Sequence, residues 1–183
     1  MKPFEDQTAL LAIDLQVGIF GPGETRVHDA DGVLERAAAL LRAAEAAGLP
    51  ILYCRDDAGP GLWEPGSEGW QIHPRVSPPE RAIVFRKKFG DAFRATELDD
   101  ELRRRDCSRL VVLGAMTDFS IRSTLQRALL RGYSVTLIED AHSTLDGLDA
   151  PALDHIRMLN EEVAASAKRG LPLELEPAAA FTA

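Results

Sequence analysis

Three residues whose side chains could do chemistry together stand at the ends of apolar segments in this sequence. Asp14 ends the run "TALLAID", Lys87 ends "RAIVFRK", and Ser120 follows "SRLVVLG" after a short turn. A carboxylate can act as a general base for a nucleophile, and a lysine can keep that carboxylate ionised. The turn before Ser120 leads into a predicted helix, so its backbone N–H groups could donate to an oxyanion. These residue types make acyl transfer on an amide possible, although such an aspartate is often only a turn residue and a lone lysine is usually solvated.

The positions of these residues depend on an alternation of predicted strands and helices. The strands are "TALLAID", "PILYC", "RAIVFRK", "SRLVVLG" and "YSVTLIED". The helices are residues 31–48, the segment "ATELDDELRRRD" with Thr96 as its cap, residues 119–132 and residues 150–168. The pattern predicts an α/β fold, a three-layer α/β/α sandwich with a mainly parallel sheet. Such folds bind ligands at the carboxyl ends of strands, where Asp14 and Lys87 are expected.

Composition limits the class of protein. The 183 residues suit a single domain over 1–183, and the formal net charge of −8 argues against a nucleic-acid or anionic-membrane surface. Neither an apolar run of transmembrane length nor a signal-peptide pattern is found, so a cytoplasmic protein is expected. Cys54 and Cys107 have no CxxC spacing, and both are expected to be free thiols. Cys54, near the end of a strand, is an alternative nucleophile, but a buried free cysteine is more often inert packing.

A long connection, residues 55–79, is rich in glycine, proline, tryptophan and charge. Connections of that length inside a compact domain are usually functional. Its aromatic side chains either form a wall of a substrate pocket or only pack the loop onto the core. The candidates for contact with a substrate are Trp63, Trp70, His73, Phe20, Phe119 and Arg122.

Several separated motifs, in order, resemble the isochorismatase-like cysteine hydrolases over most of the chain. They are "ALLAIDLQVGIF", "VFRKKFGDAFRATELDDEL" and "LGAMTDFSIRSTLQRALLRGYSVTLIEDAHST". The resemblance implies a Rossmann-like topology, a catalytic aspartate at Asp14 and a catalytic lysine at Lys87, with Lys88 as the alternative. It also implies a non-proline cis peptide at Ala115–Met116, a small-molecule substrate and a homo-oligomer, either a dimer or a tetramer.

No metal and no cofactor are expected. Nicotinamidases of this superfamily carry an Asp-x-His cluster after the second strand, where this sequence reads "CRDDAGPG". Asp56 and Asp57 stand there without a histidine, and two adjacent acids make a poor metal site without further ligands. Nicotinamide is therefore disfavoured as a substrate.

The departure from the family pattern lies at the nucleophile. The family has Gly-x-x-Thr-Asp/Glu-x-Cys, and this sequence has Ser120 in the place of the cysteine, after Thr117 and Asp118. In the cysteine-bearing form the resemblance implies C–N hydrolysis of an amide, ureide, carbamoyl group or lactam, with the backbone N–H groups of Met116 and residue 120 as oxyanion donors. A serine hydroxyl is far less acidic than a thiol, and His142 is the one histidine that could approach.

Three interpretations of Ser120 follow, in order of preference. The first is a cysteine-to-serine substitution introduced to trap a substrate in an intact site. The second is a natural variant with different chemistry, such as vinyl-ether cleavage by acid catalysis through Asp14. The third is a catalytically inactive ligand-binding homologue.

Overall fold

The computed structural model describes residues 2–23, 25–57, 59, 61, 63–147 and 149–182. Within them, a six-stranded sheet has the order β3-β2-β1-β4-β5-β6, and every neighbouring pair of strands is parallel. The strands are β1 (Thr8–Ile13), β2 (Ile51–Asp56), β3 (Ile83–Lys87), β4 (Arg109–Ala115), β5 (Ser134–Ser143) and β6 (Leu173–Glu176). The strand order reverses beside β1, as expected for a Rossmann-like topology.

Helices cover both faces of this sheet. They are α1 (Val17–Phe20), α2 (Ala30–Ala46), α3 (Leu98–Arg104), α4 (Arg122–Leu130), α5 (Ala152–Lys168) and α6 (Ala179–Thr182). A 3₁₀ turn at Pro74–Val76 and a π-helical turn at Thr117–Ile121 complete the helical elements of the described residues. None of the helices among the described residues is both long enough and apolar enough to cross a membrane.

The central strand shows why the fold has three layers. All six residues of β1 are buried, and successive side chains point to opposite faces of a strand. Leu10 and Ala12 join a core beneath α2, whereas Leu11 and Ile13 join a second core beneath α3, α4 and α5. A strand buried on both faces is typical of a parallel sheet between two helical layers, and the predicted three-layer α/β fold is confirmed.

The structure extends beyond the predicted elements at three places. Strand β2 continues through Asp56, and β5 continues through Ser143, because charged and polar side chains at the strand ends are buried against the rest of the protein. The tail, for which no element was predicted, forms β6 and α6. Strand β6 has only four residues at the sheet edge, too few for a clear alternation, and Phe181 of α6 is anchored by stacking on Phe4.

Candidate active site

Four polar side chains meet where neighbouring strands end. Asp14 directly follows β1 with a left-handed φ of 51°, and its N–H donates to the carbonyl of Cys54 at 2.7 Å. Asp56 ends β2, and Lys87, its register partner, ends β3. Ser120 lies in the π-helical turn that follows β4. Because β3, β2, β1 and β4 are successive strands of the sheet, their carboxyl ends place these residues along one edge.

The Lys87 ammonium is the centre of this group. Its Nζ lies 2.7 Å from Asp14 Oδ2, 2.8 Å from Asp56 Oδ2 and 3.1 Å from Ser120 Oγ. An ammonium has three N–H donors, so these three acceptors use all of them. Lys87 is 1 % exposed, whereas Lys88 points to solvent, as strand alternation requires. Of the two lysines considered from the sequence, Lys87 is the one that reaches Asp14 and Ser120.

Burial and charge set the protonation of this centre. Burial raises the pKa of the Asp14 carboxyl to about 6, while the positive charge of Lys87 acts in the opposite direction and the negative charge of Asp56 adds to the increase. Burial lowers the pKa of Lys87, but the attraction of Asp14 and Asp56 together outweighs it, and the pKa of Lys87 is raised. Lys87 therefore stays a cation and cannot take a proton from Ser120. The group able to accept a proton is Asp14, whose Oδ1 is buried without a hydrogen-bond partner among the described residues.

A tight turn brings Ser120 to this cation. The Ala115–Met116 peptide bond is cis, and the Met116 carbonyl accepts hydrogen bonds from the N–H groups of Phe119 (3.1 Å) and Ile121 (3.0 Å). Gly114 has a φ of 123°, and a Cβ at this position would overlap the carbonyl oxygen of Ile13. Glycine is therefore required for β4 to run this close to β1. The backbone N–H groups of Met116 and Ser120 remain the predicted oxyanion donors.

His142 holds the same turn from the side of β5. Its Nδ1 lies 2.9 Å from Thr117 Oγ1 and its Nε2 lies 2.9 Å from Asn160 Oδ1. The Asn160 amide donates through Nδ2 to the carbonyl of Glu139, so its Oδ1 accepts the Nε2–H of His142. Nδ1 then accepts the Thr117 hydroxyl proton, and burial lowers the pKa of His142, which keeps the ring neutral. This histidine supports the turn through Thr117, and both its nitrogens are already used.

Asp118 and Cys54 complete the surroundings of the turn. The Thr144 hydroxyl donates to the Asp118 carboxylate at 2.5 Å, which ties the turn to the end of β5. Cys54, the alternative nucleophile, is 2 % exposed, and burial raises the pKa of its thiol well above the ordinary value. A neutral buried thiol is a poor nucleophile, so the structure favours the packing role for Cys54.

The tryptophans and the histidine of the long connection pack the loop onto the protein. Trp63 is half-buried against the core beneath α2, and the Trp70 ring lies 3.4 Å from the Arg55 guanidinium carbon. His73 Nδ1 accepts the N–H of Arg75 within the same loop, and the His73 N–H donates to the carbonyl of Leu15 at 2.8 Å. These contacts favour the packing interpretation of the loop, and substrate contact by these residues stays a prediction.

Three further residues with a predicted substrate role have different surroundings. Phe20 is 1 % exposed and packs in the core beneath α2, and substrate contact by this residue stays a prediction. Arg122 pairs with Glu162 of α5 at 2.9 Å, so its charge is already matched. Phe119 is 56 % exposed, and a Cβ on Gly90 would lie 3.0 Å from its ring. Phe119 therefore presents an exposed apolar ring next to Ser120 in the chain.

Two residues of the site were not assigned to it from the sequence. Gln16 is fully buried, and its amide accepts the Asp56 N–H at 2.8 Å while donating to the carbonyls of Asp56 and Trp70, each at 3.1 Å. Asp56 contacts Lys87, whereas Asp57 pairs with Arg86 at 3.4 Å, so the two acids have separate partners. Among the described residues no group of three or more histidine, cysteine, aspartate or glutamate side chains is arranged to hold a metal ion. The sequence did offer a signal for Gln16: it is a polar residue inside an apolar stretch, two residues after Asp14.

The chain belongs to the isochorismatase family, whose isochorismatase domain matches residues 8–167. Two streptothricin hydrolases from Streptomyces noursei are 36% and 34% identical to it over 174 residues, each match covering 94% of this chain. The chain spans 69% and 63% of their lengths, about two thirds of each. Nicotinamidase from Escherichia coli (strain K12) is 27% identical over 172 residues, covering 72% of this chain and 81% of that protein.

A solved structure agrees with the family assignment. The crystal structure of an isochorismatase from Pseudomonas putida KT2440 has a TM-score of 0.82 and 28% identity, and the match covers 99% of this chain and 94% of that one. The family consists of hydrolases and includes enzymes that act on amides.

Proposed function

We propose that this protein hydrolyses a C–N bond of a small molecule, namely an amide, ureide, carbamoyl group or lactam, with residue 120 in the place of the nucleophile. The observation that carries the proposal is the buried contact of one lysine, Lys87, with both Asp14 and Ser120. Similarity to streptothricin hydrolases and a nicotinamidase supports amide chemistry. Because the isochorismatase domain covers most of the chain, the site belongs to the part of the chain shared with the family.

With cysteine at position 120, each group has a defined role. Asp14 accepts the thiol proton, and the thiolate attacks the carbonyl carbon of the substrate. The backbone N–H groups of Met116 and residue 120 donate to the oxyanion, and Lys87 stabilises the negative charge of the centre. As the C–N bond breaks, Asp14 gives its proton to the leaving amine, and water then releases the acid and restores the thiol.

Serine makes the first step much harder. A free thiol has a pKa of about 8.5, within a few units of a carboxyl at about 6, whereas a serine hydroxyl is far less acidic. A neutral lysine could act as the base for a serine, but the raised pKa of Lys87 rules out that arrangement at neutral pH. We therefore expect slow or no turnover with Ser120 and recovery with cysteine.

The test compares the chain as it stands with Ser120→Cys on streptothricin, nicotinamide, N-carbamoyl amino acids, simple ureides and lactams. Release of amine or ammonia is measured, and Ser120→Cys combined with Asp14→Asn is the control. We expect the cysteine variant to turn over at least one substrate about 100-fold or more faster than the serine form, and the double variant to lose that gain. Equal rates for serine and cysteine, or a silent cysteine variant, would count against a thiolate mechanism.

Acid-catalysed hydrolysis of a vinyl ether is the second candidate, and the pKa of Asp14 favours it. A carboxyl with a pKa of about 6 is protonated in about a tenth of the molecules at pH 7, enough to serve as an acid. This route needs no nucleophile at position 120. It predicts that activity survives Ser120→Ala and disappears in Asp14→Asn.

The pH dependence separates the two routes by sign. Amide hydrolysis needs Asp14 ionised, so its rate rises as the pH increases through about 6. Vinyl-ether hydrolysis needs Asp14 protonated, so its rate falls over the same interval. An inactive homologue, the third possibility, would bind a ligand without turnover even with cysteine at position 120.

We also infer that the protein works as a homo-oligomer. Large apolar side chains are exposed on two helices that lie on the same face of the sheet: Leu130 of α4 is 79 % exposed, and Leu153 and Met158 of α5 are each 55 % exposed. An interface between subunits would remove these side chains from water. Light scattering in solution should give a mass above 20.0 kDa.

A further inference from the structure

The carboxylate of Asp56 has no role in the mechanism above, although it lies as close to Lys87 as Asp14 does. We propose that Asp56 is a positioning residue of this centre: it takes one N–H of Lys87 and thereby holds the ammonium in the single orientation that directs its other two N–H groups at Asp14 and Ser120. This inference rests on the proposed function, which gives Asp14 and residue 120 the chemistry.

The hydrogen-bond count supports this role. Asp56 Oδ2 lies 2.8 Å from Lys87 Nζ, against 2.7 Å for Asp14 Oδ2 and 3.1 Å for Ser120 Oγ. A lysine side chain ends in a freely rotating group with three donors. Without a third acceptor one N–H of the buried ammonium would have no partner, and the Lys87 side chain could shift away from Asp14 and Ser120. With Asp56 in place, all three donors are assigned.

Asp56 is itself fixed by the backbone. It is the register partner of Lys87, so β2 and β3 place the two side chains on the same face of the sheet. The Gln16 amide bonds to both the N–H and the carbonyl of Asp56, much as a neighbouring strand would. Asp57, one residue further, pairs with Arg86 instead. The pairing of Asp56 with Lys87 therefore follows from the strand geometry.

A second carboxylate also changes the charge of the centre. With both carboxylates ionised, Asp14, Asp56 and Lys87 together carry one negative charge, which favours proton uptake by the buried Asp14. Of the described residues that also contact this centre, the Ser120 hydroxyl and the Cys54 thiol are neutral, because burial and nearby carboxylates, Asp91 among them, raise the pKa of the thiol. Asp56 adds to the raised pKa of Asp14, and it does so by repelling the Asp14 charge.

The experiment follows the Asp14 carboxyl by ¹³C NMR as a function of pH in the protein with Ser120, without any substrate. Asp14→Asn assigns the resonance, Asp56→Asn removes the second charge at constant size, and Asp57→Asn is the matched control. We expect the Asp14 midpoint to fall by about one pH unit in Asp56→Asn, a tenfold change in proton affinity, and to stay in place in Asp57→Asn. The loss of the repulsion between the two carboxylates acts in that direction.

The outcomes distinguish this inference from the proposed function. An unmoved midpoint in Asp56→Asn, or an equal shift in Asp57→Asn, overturns the role of Asp56 whatever the enzyme hydrolyses. If Asp56→Asn does not fold, Asp56→Glu keeps the charge and should keep a midpoint near 6, whereas a fall of a full unit in that variant contradicts the inference. In a Ser120→Cys background that turns over a substrate, Asp56→Asn should lower kcat at least tenfold and leave KM within twofold.

Discussion

Two lysines of this protein each lie between two carboxylates, at opposite ends of the sheet. Lys2 Nζ lies 2.8 Å from Glu176 and 3.1 Å from Glu174, and its side chain is 35% exposed beside a cavity of about 310 Å³. Lys87 Nζ has nearly the same distances to Asp14 and Asp56, but its side chain is 0% exposed. The two carboxylate contacts are alike in both clusters, but Lys87 also contacts the Ser120 hydroxyl, and the access of the two lysines to water differs greatly.

Water decides what each cluster contributes. At the exposed lysine, solvent and salt screen the charges, and such pairs contribute about 0–1 kcal/mol. At the buried lysine, desolvation of three charged groups is expensive, and removing one partner leaves the others uncompensated. Burying such a cluster costs desolvation free energy, and removing one of its members destabilises the folded protein further. Buried clusters of this kind are typical of functional sites.

The largest expected effect comes from removing the buried cation. Lys87→Met leaves the Asp14 and Asp56 carboxylates facing each other, and the free energy of unfolding should fall by about 3–5 kcal/mol at pH 7. The loss should shrink as the pH decreases, because burial raises the pKa of Asp14 in the folded protein above that of the unfolded chain, so the folded variant takes up this proton first. Urea denaturation between pH 5 and pH 8 measures this.

Lys88→Met is the matched control for that variant. Lys88 is the neighbouring exposed lysine, and its loss should change the free energy of unfolding by less than about 0.5 kcal/mol. If Lys87→Met and Lys88→Met lowered the free energy of unfolding equally, the burial of Lys87 would not explain its contribution to stability.

A neutral hydrogen bond in the same buried region should have an intermediate effect. Thr117→Val removes the hydroxyl that donates to His142 Nδ1 and leaves a buried acceptor unpaired, so unfolding should become easier by about 1–3 kcal/mol. The exposed hydroxyl of Thr25 donates to the Gly18 carbonyl, and Thr25→Val should lower the free energy of unfolding far less. Thermal or urea denaturation at pH 7 measures both variants. A larger loss of stability in Thr25→Val than in Thr117→Val would contradict the expected effect of burial.

The smallest effect is expected at the exposed lysine. Lys2→Met should lower the free energy of unfolding by no more than about 1 kcal/mol, and the difference should fade in 1 M NaCl because salt screens exposed charges. The same denaturation series in low and high salt is the measurement. A loss of several kcal/mol at Lys2, insensitive to salt, would show that exposure is not what separates the two clusters.

The sequence predicted the fold and three members of the site for a clear physical reason. A parallel sheet needs apolar strands between helices, and the residues that end those strands must share one edge. Asp14, Lys87 and Ser120 could therefore be found from strand ends, and the resemblance placed Ser120 at the position of the family's cysteine. The cis peptide bond of the structure stands at Ala115–Met116, the place that the resemblance implied.

The role of Asp56 could not be predicted in the same way. The segment "CRDD" looks like the start of a polar loop, and only the register of β2 against β3 places Asp56 opposite Lys87. Phe20 shows the converse limit: a phenylalanine just after a strand can line a pocket or fill a core, and the sequence does not say which way its ring points. The packing of α1 and α2 over the sheet decides that question.

The order of the centre along the chain has a consequence for synthesis. Asp14, Asp56, Lys87 and Ser120 leave the ribosome in that order, and β5 and β6 follow them. Both carboxylates are therefore made before the cation that neutralises them, and at about 5–20 residues per second the chain waits seconds for Lys87. During that interval β1 and β2 can pair only with their acids hydrated or protonated. The nascent chain should bury this edge of the sheet late, after the lysine strand has emerged.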